Sequence, residues 1–321
     1  KRDQNMIFYN DEQCEDLINV HSAVDVVRSV FENIKDTNMI SKTYLDIEDV
    51  EENFLGDFRA MPAQIQDVAG IKWVSVFPKN KAWPTVIGTI LLNSAENGKL
   101  LAVLDATYIT KVRTAAAAAV ATEKLANKDS EVASFVGCGG QTMLHVEAID
   151  YVMPNLSRFV FYDKNKEAAE AIANRISHHE VVVANTIEEC VSQADVLTTL
   201  TPSRSPIVKG GLLKRGVHIN AMGADAEGKR EFDHATYKMV DIWTVDDFDQ
   251  AVHSGETQHA YKKRNGLMAC MPWPKKGEGR EISSLSEIVG RVKKDQITLF
   301  DSTGLAIQDI AVADYIYKKD N

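Results

Sequence analysis

From about residue 130 the chain settles into one rhythm: a short run rich in β-branched and aromatic residues, then a charged helical stretch, then another such run. EVASFVG, SRFVFYD, EVVVANT, ADVLTTL, GVHINAMG and KMVDIWTVD follow one another in this way. Short apolar runs bounded by turn residues and separated by helical segments predict a parallel sheet with crossover helices, an α/β architecture of the doubly wound kind. The first 125 residues are built differently. A helical start, DEQCEDLINVHSAVDVVRSVFENI, precedes strand candidates around SKTYLDI, DFRAMPA, GIKWVSVF, TVIGTILLN and LAVLDATY. Mixed strands after one helix predict a separate α+β domain. It closes on KVRTAAAAAVATEKLA, whose alanines favour helix and let another backbone approach closely. A chain of 321 residues, 45% hydrophobic, has the length and apolar content for two such cores.

Charge narrows the function classes. With 46 acidic against 36 basic residues the net charge is -10, which supplies no electrostatic footprint for nucleic acid or an anionic membrane. No run is long and apolar enough to span a bilayer, and KRDQNMIFYNDEQCEDL lacks the apolar centre of a signal peptide. Cys14, Cys138, Cys190 and Cys270 are far apart and the histidines are scattered, so neither a disulfide framework nor a metal site is expected. A reducing cytoplasm fits this usage.

The stretch SFVGCGGQTMLHVEAID breaks an apolar strand with glycines and then resumes as a helix. Gly137 and Gly139 match the first two glycines of the dinucleotide fingerprint, while position 142 is Thr. The next strand ends in Asp163, where such a unit hydrogen-bonds the ribose hydroxyls. The glycines would let the helix N-terminus meet a pyrophosphate. A plain glycine turn is the alternative. A carboxylate at 163 repels a 2′-phosphate, so NAD is expected before NADP, with Lys164 next door pulling the other way.

Ligands of open α/β sheets sit beyond the carboxyl ends of the strands. Asp225 follows the fifth run there, and the TPSRSP segment from Thr201 follows the fourth. Each is either a wall of the cleft or an ordinary turn. In the first domain Arg59, Lys72 and Arg113 lie among apolar or small neighbours, so each must find an anion. That anion is either a ligand or an internal partner such as Asp57 or Asp105.

GDFRAMPA, GIKWVSVFPKN, WPTV, LAVLDATYITKVRTAAAAAVA, FVGCGGQ, NAMGAD and FDSTGLAIQD together resemble the ornithine cyclodeaminase and mu-crystallin family, nearest in pattern to its archaeal-type alanine dehydrogenases. The resemblance spans roughly residues 5 to 316. It implies a Rossmann domain over 126–300 and a substrate-binding and dimerisation domain over 1–125 and 301–321, with two chains joined through a shared barrel-like sheet and each active site between the two domains. It implies that Arg59, Lys72 and Arg113 hold a substrate carboxylate and that Asp225 handles protons at the amine. Gly137, Gly139, Gly140 and Gln141 would line the cofactor phosphates, with Asp163 on the ribose. Thr201 would stand beside the cofactor, with Ser302, Thr303 and Gly304 near its nicotinamide end. Where cyclodeaminases resemble ELMP this chain has RAMP, and Arg59 would repel a second ammonium.

The expected activity is therefore NAD-dependent oxidation of a small L-amino acid to an imine, with water activated by Asp225 or Lys72 completing its hydrolysis, or the reverse reductive amination. Cyclodeamination with internally recycled NAD, an imine reductase or amino-acid synthase of secondary metabolism, and a non-enzymatic ligand binder are the rival readings. The segment from His253 to Ile288 reads as a loop, with Trp273 rigid between two prolines; Gly255 and Glu256 receive no chemistry.

Overall fold

The computed structural model describes residues 6–51, 53–264, 267–270, 282–288, 290, 291 and 293–321. Two compact units divide the chain, one comprising Lys1–Ala116 and Leu305–Asn321, the other Ala117–Gly304.

The first unit opens with β1 (Ile7–Tyr9), α1 (Asp11–Leu17) and α2 (Val20–Glu32). The single predicted helix is thus two, because Ile18 is extended and the Asn19 side chain accepts from Ser22 N–H to start the second. Five strands fall on the predicted runs: β3 (Thr43–Glu48), β4 (Phe54–Ile65), β5 (Val68–Val76), β6 (Val86–Ser94) and β7 (Leu100–Asp105). With β2 (Thr37–Met39) they form a sheet in the order β1-β7-β6-β5-β4-β2, β3 also pairing with β4. The meander β4 to β7 is antiparallel. Period-two alternation gives the sheet two characters. Met61, Val74, Ile90 and Leu92 turn to one buried face. Trp73, Ile87 and Leu91 stand exposed on the other, with Phe58 stacked on Trp73 at 5.2 Å. The C-terminal helix α10 (Ala306–Asp320) packs against β4, β5 and β6, as the resemblance implied for the chain's end.

Helix α3 (Thr107–Leu125) carries the alanine run and leads into the second unit. There the predicted alternation appears as β8 (Val132–Val136), α4 (Thr142–Val152), β9 (Arg158–Tyr162), α5 (Lys166–Ala173), β10 (Glu180–Val183), α6 (Ile187–Gln193) and β11 (Val196–Thr199). It continues through β12 (His218–Ala221), α7 (His234–Met239), β13 (Ile242–Val245), α8 (Phe248–Ser254) and α9 (Thr257–Ala260). A hairpin of β14 (Tyr261–Arg264) and β15 (Leu267–Cys270) follows, then β16 (Ile282–Ser284) and β17 (Thr298–Asp301). The segment read as a loop therefore contains α9, the hairpin and β16; Trp273 and its flanking prolines lie outside the described residues.

The main sheet runs β10-β9-β8-β11-β12-β17-β13-β16, and every neighbouring pair is parallel. This is the doubly wound order, reversing direction between β8 and β11. Two segments depart from the sequence reading. β17 is inserted between β12 and β13, so Asp301–Gly304 belong with this sheet rather than with the first unit. Ala117–Leu125 do so as well: Thr122 Oγ1 accepts from Asn220 Nδ2 at 2.9 Å and Leu125 O from Arg291 Nε at 2.7 Å.

Candidate functional site

In the second unit the reversal of strand order opens a cavity of about 500 Å³. Its walls are the carboxyl ends of β8, β9 and β11, with Gly137, Gly139, Asp163, Lys164 and Thr201 among the lining residues. Gly137 has φ +96°, and a Cβ there would stand 2.9 Å from Thr201 Cγ2, so only glycine fits. Gly139 and Gly140 meet nothing within 4 Å at the Cβ position, which leaves their backbone bare toward open space. Gln141 then caps α4 without a side-chain hydrogen bond, and its buried Oε1 has no partner among the described residues. Thr142, the departure from the fingerprint, donates its hydroxyl to Gly137 O at 3.0 Å and pins the loop to the helix. Asp163 accepts from Cys138 N–H through Oδ2 and from Asn165 N–H through Oδ1, both at 2.8 Å. Carboxylate oxygens accept more than one hydrogen bond, so capacity for ribose hydroxyls remains. A switch-point cavity, bare glycine backbone, a helix N-terminus and an acid at the end of β9 fit a dinucleotide.

Behind this cavity the strand ends are tied by buried carboxylates that the sequence reading missed. Glu231 accepts from Thr199 Oγ1 (2.6 Å), Thr201 N (2.8 Å), Thr201 Oγ1 (2.7 Å) and Gly223 N (3.0 Å), so it welds β11 to the segment after β12. Gly223 is required there, since a Cβ would fall 2.2 Å from Thr201 O and 2.6 Å from the Glu231 carboxyl. Glu256 accepts from Glu231 N–H and from the Tyr237 hydroxyl, each at 2.5 Å. Asp301 accepts from the N–H groups of Glu256 and Thr257 and from Thr257 Oγ1. Burial raises the Glu231 carboxyl, pushes Glu256 up to about 8 and Asp301 up to about 7. Ser302 and Thr303 commit their hydroxyls to Asp246, which also accepts the N–H groups of Thr303 and Gly304. Asp225, two residues beyond Gly223, is only partly covered and pairs with Lys229 Nζ at 2.5 Å.

The first unit gathers the cations on the buried face of its sheet. Arg59 on β4 and Lys72 on β5 lie in registered, adjacent strands, and Arg113 projects from α3. Arg59 finds Asp57, Nε to Oδ1 at 2.6 Å, with its guanidinium 5.3 Å from the Tyr44 ring centroid. Lys72 Nζ and Arg113 Nε converge on Asp309 Oδ1 at 2.7 and 2.9 Å. Arg113 thus pairs with Asp309 rather than Asp105, whose Oδ1 instead accepts Thr107 N–H at the start of α3. Burial first, and the Arg113 charge second, bring the Lys72 ammonium down to about 7 despite Asp309. With Lys72 protonated, two cations face one carboxylate, all nearly sealed from solvent, and the site is one negative charge short.

The fold and these sites define a dinucleotide-binding α/β chain with a buried cation cluster on a second, α+β unit. A family model described as ornithine cyclodeaminase/mu-crystallin family matches residues 4–321, and the chain belongs to that family. It is 40% identical over 311 residues, 96% of this chain and 92% of the relative, to an alanine dehydrogenase of Archaeoglobus fulgidus. An archaeal alanine dehydrogenase dimer with bound NAD superposes with TM-score 0.87 at 38% identity, covering 98% of this chain and 95% of that one. The Δ1-pyrroline-2-carboxylate reductase of Thermococcus litoralis, in complex with NADH and L-proline, gives TM-score 0.85 at 30% identity over 98% and 97% of the two chains.

Proposed function

We propose that this chain is an NAD-dependent oxidoreductase acting on the CH–NH2 group of a small L-amino acid, interconverting it with a 2-oxo acid and ammonia. The observation that carries the reading is the buried excess of positive charge at Lys72 and Arg113, which a single small carboxylate would balance. Arg59 is the third cation of the clamp, its own charge already matched by Asp57. Gly137, Gly139, Gly140 and Gln141 would hold the cofactor phosphates, Asp163 the ribose and Thr201 the flank. Ser302 and Thr303, fixed by Asp246, would support its nicotinamide end through their backbone. NAD, when bound, supplies the hydride acceptor.

The chain's own residues do the rest. Cations fix the carboxylate so that one orientation of the α-carbon is selected, and this conversion of binding into alignment lowers the barrier. Asp225, at the end of the β12 segment, takes the proton from the ammonium and returns it during imine hydrolysis. Lys229 Nζ pairs with that carboxylate at 2.5 Å and holds it in place. Lys72 is the alternative proton carrier, since burial leaves it near neutrality. The reading assigns substrate binding and dimerisation to the first domain, dinucleotide binding to the second, and a cytoplasmic homodimer to the whole. The exposed apolar face bearing Trp73, Ile87 and Leu91 supports self-association. The similarity to the reductase solved with NADH and L-proline favours imine reduction as the second reading.

A panel of L-amino acids with NAD, and of 2-oxo acids and cyclic imino acids with NADH, each with and without ammonia, tests this. Ammonia-dependent NADH consumption with a small oxo acid, abolished in Asp225→Asn, is the expected result. Consumption only with a cyclic imino acid replaces it by the second reading, and inertness toward the whole panel removes both.

A further inference from the structure

The first turn of α10 holds a second polar residue beside the cation cluster. Gln308 is fully buried, and its Oε1 accepts from Arg113 Nη1 at 3.1 Å and from Leu305 N–H at 3.3 Å. Two donors on one oxygen settle which way the amide points. Nε2 is then left on the far side of the amide, buried and without a hydrogen-bond partner among the described residues. The same is true of Asp309 Oδ2 on the next residue, while Asp309 Oδ1 receives both Lys72 and Arg113. Unmade hydrogen bonds at buried polar atoms are costly and rare, so a buried donor such as Gln308 Nε2 calls for an acceptor. Here the spare N–H donor belongs to a residue that touches Arg113, in a cluster that is short of one negative charge. An acceptor carrying that charge satisfies both shortages at once.

We propose that Gln308 is a further substrate-binding residue, its Nε2 donating to the substrate carboxylate alongside Lys72 and Arg113. This deepens the reaction proposed above and rests on it only in taking the anion to be a small carboxylate. The amide is suited to the place because it accepts from Arg113 and donates to the ligand, so it braces the guanidinium and extends its reach. A carboxylate side chain at 308 would brace Arg113 equally well and repel the ligand.

That contrast supplies the experiment. Gln308→Glu keeps an oxygen for Arg113 and Leu305 and replaces the donor by a charge; Gln308→Met removes both functions at similar volume. Pyruvate titrated against each protein without cofactor, read by thermal shift, gives an affinity independent of turnover. NADH binding, read by fluorescence, reports whether the second unit is intact. Wild-type protein is expected to take pyruvate. In Gln308→Glu that affinity should fall by roughly 10- to 100-fold with NADH binding unchanged. Relative to wild type, the loss should shrink at acid pH, where a protonated Glu regains a donor. Equal pyruvate affinity in wild type and Gln308→Glu, or equal loss of pyruvate and NADH binding in both variants, overturns the assignment. If pyruvate binding behaves as expected while the panel of substrates shows no turnover, Gln308 stands and the proposed reaction falls. If turnover is found and Gln308→Glu matches wild type, the reverse holds.

Discussion

Both units bury charged groups, and they satisfy them in opposite ways. In the second unit, Glu231, Asp246, Glu256 and Asp301 lie among donors supplied by the chain itself, chiefly backbone N–H groups and hydroxyls at the ends of parallel strands. In the first unit, Lys72 and Arg113 share one oxygen of Asp309, and Gln308 keeps a donor with no partner among the described residues. The carboxylates hold strand ends in register through the chain's own donors, whereas Lys72 and Arg113 divide a single carboxylate oxygen between them. Burial alone therefore does not separate the two settings; the source of each charged group's partners does.

The sharpest way to break this contrast is to remove one cation. Arg113→Ala should lower kcat/KM for the carboxylate substrate by about 10³, because a buried, hydrogen-bonded charge contact is lost. NADH affinity should stay within about twofold; a comparable loss of both would show that Arg113 is structural. Next in size is Glu231→Gln, which keeps the shape but sets an amide NH2 against a backbone N–H, because one oxygen accepts from Thr201 N and the other from Gly223 N. Loss of that contact, worth about 1.5–3 kcal/mol, should lower the thermal midpoint and weaken NADH by roughly tenfold. Unchanged NADH affinity would detach Glu231 from the cofactor wall.

The smallest effect concerns pH. Burial holds the folded-state pKa of Glu256 at about 8 and of Asp301 at about 7, above their ordinary carboxylate values, so both bind protons on folding. Their stabilising contribution is complete below the unfolded values near 4 and is lost as pH rises through the folded ones. Lys72 behaves oppositely: its folded value of about 7 lies below the ordinary one, so its cost is full in acid and is relieved above neutrality. Between about pH 6 and pH 8 the acids dominate, and the thermal midpoint should fall by a few degrees. Glu256→Gln should flatten that slope, and a rising midpoint would contradict the assignment.

The strands of the dinucleotide unit were legible because buried parallel strands write themselves as continuous apolar runs between helices. β17 escaped because ITLF sits after a polar stretch with no helix pattern before it, so neither neighbour announced a crossover. The glycine loop and Asp163 were visible through spacing, and the structure gathers Gly137, Gly139, Asp163 and Thr201 around one cavity. The cations were visible as charges in apolar company, but the partner of Lys72 and Arg113 lies 237 and 196 residues away, beyond the reach of any local pattern. A signal did exist. Leu305, Asp309, Val312 and Ile316 share one helical face, and all are buried, so an Asp on that stripe needed a cation. Glu231 offered no such signal. It is flanked by Lys229, Arg230 and Asp233, and its burial follows from the isolated bridge between Val208 and Phe232, which pattern reading does not foresee.

The last stretch of the chain finishes both units. β17 occupies an interior place in a sheet whose other core strands were made long before it, and α10 delivers the anion that Lys72 and Arg113 require. During synthesis neither core can close until β17 and α10 have been made, so the nascent polypeptide carries an open sheet and uncompensated cations up to that point. Loss of β17 and α10 would accordingly be felt in both units, and a cell making this protein has reason to shield it until they emerge.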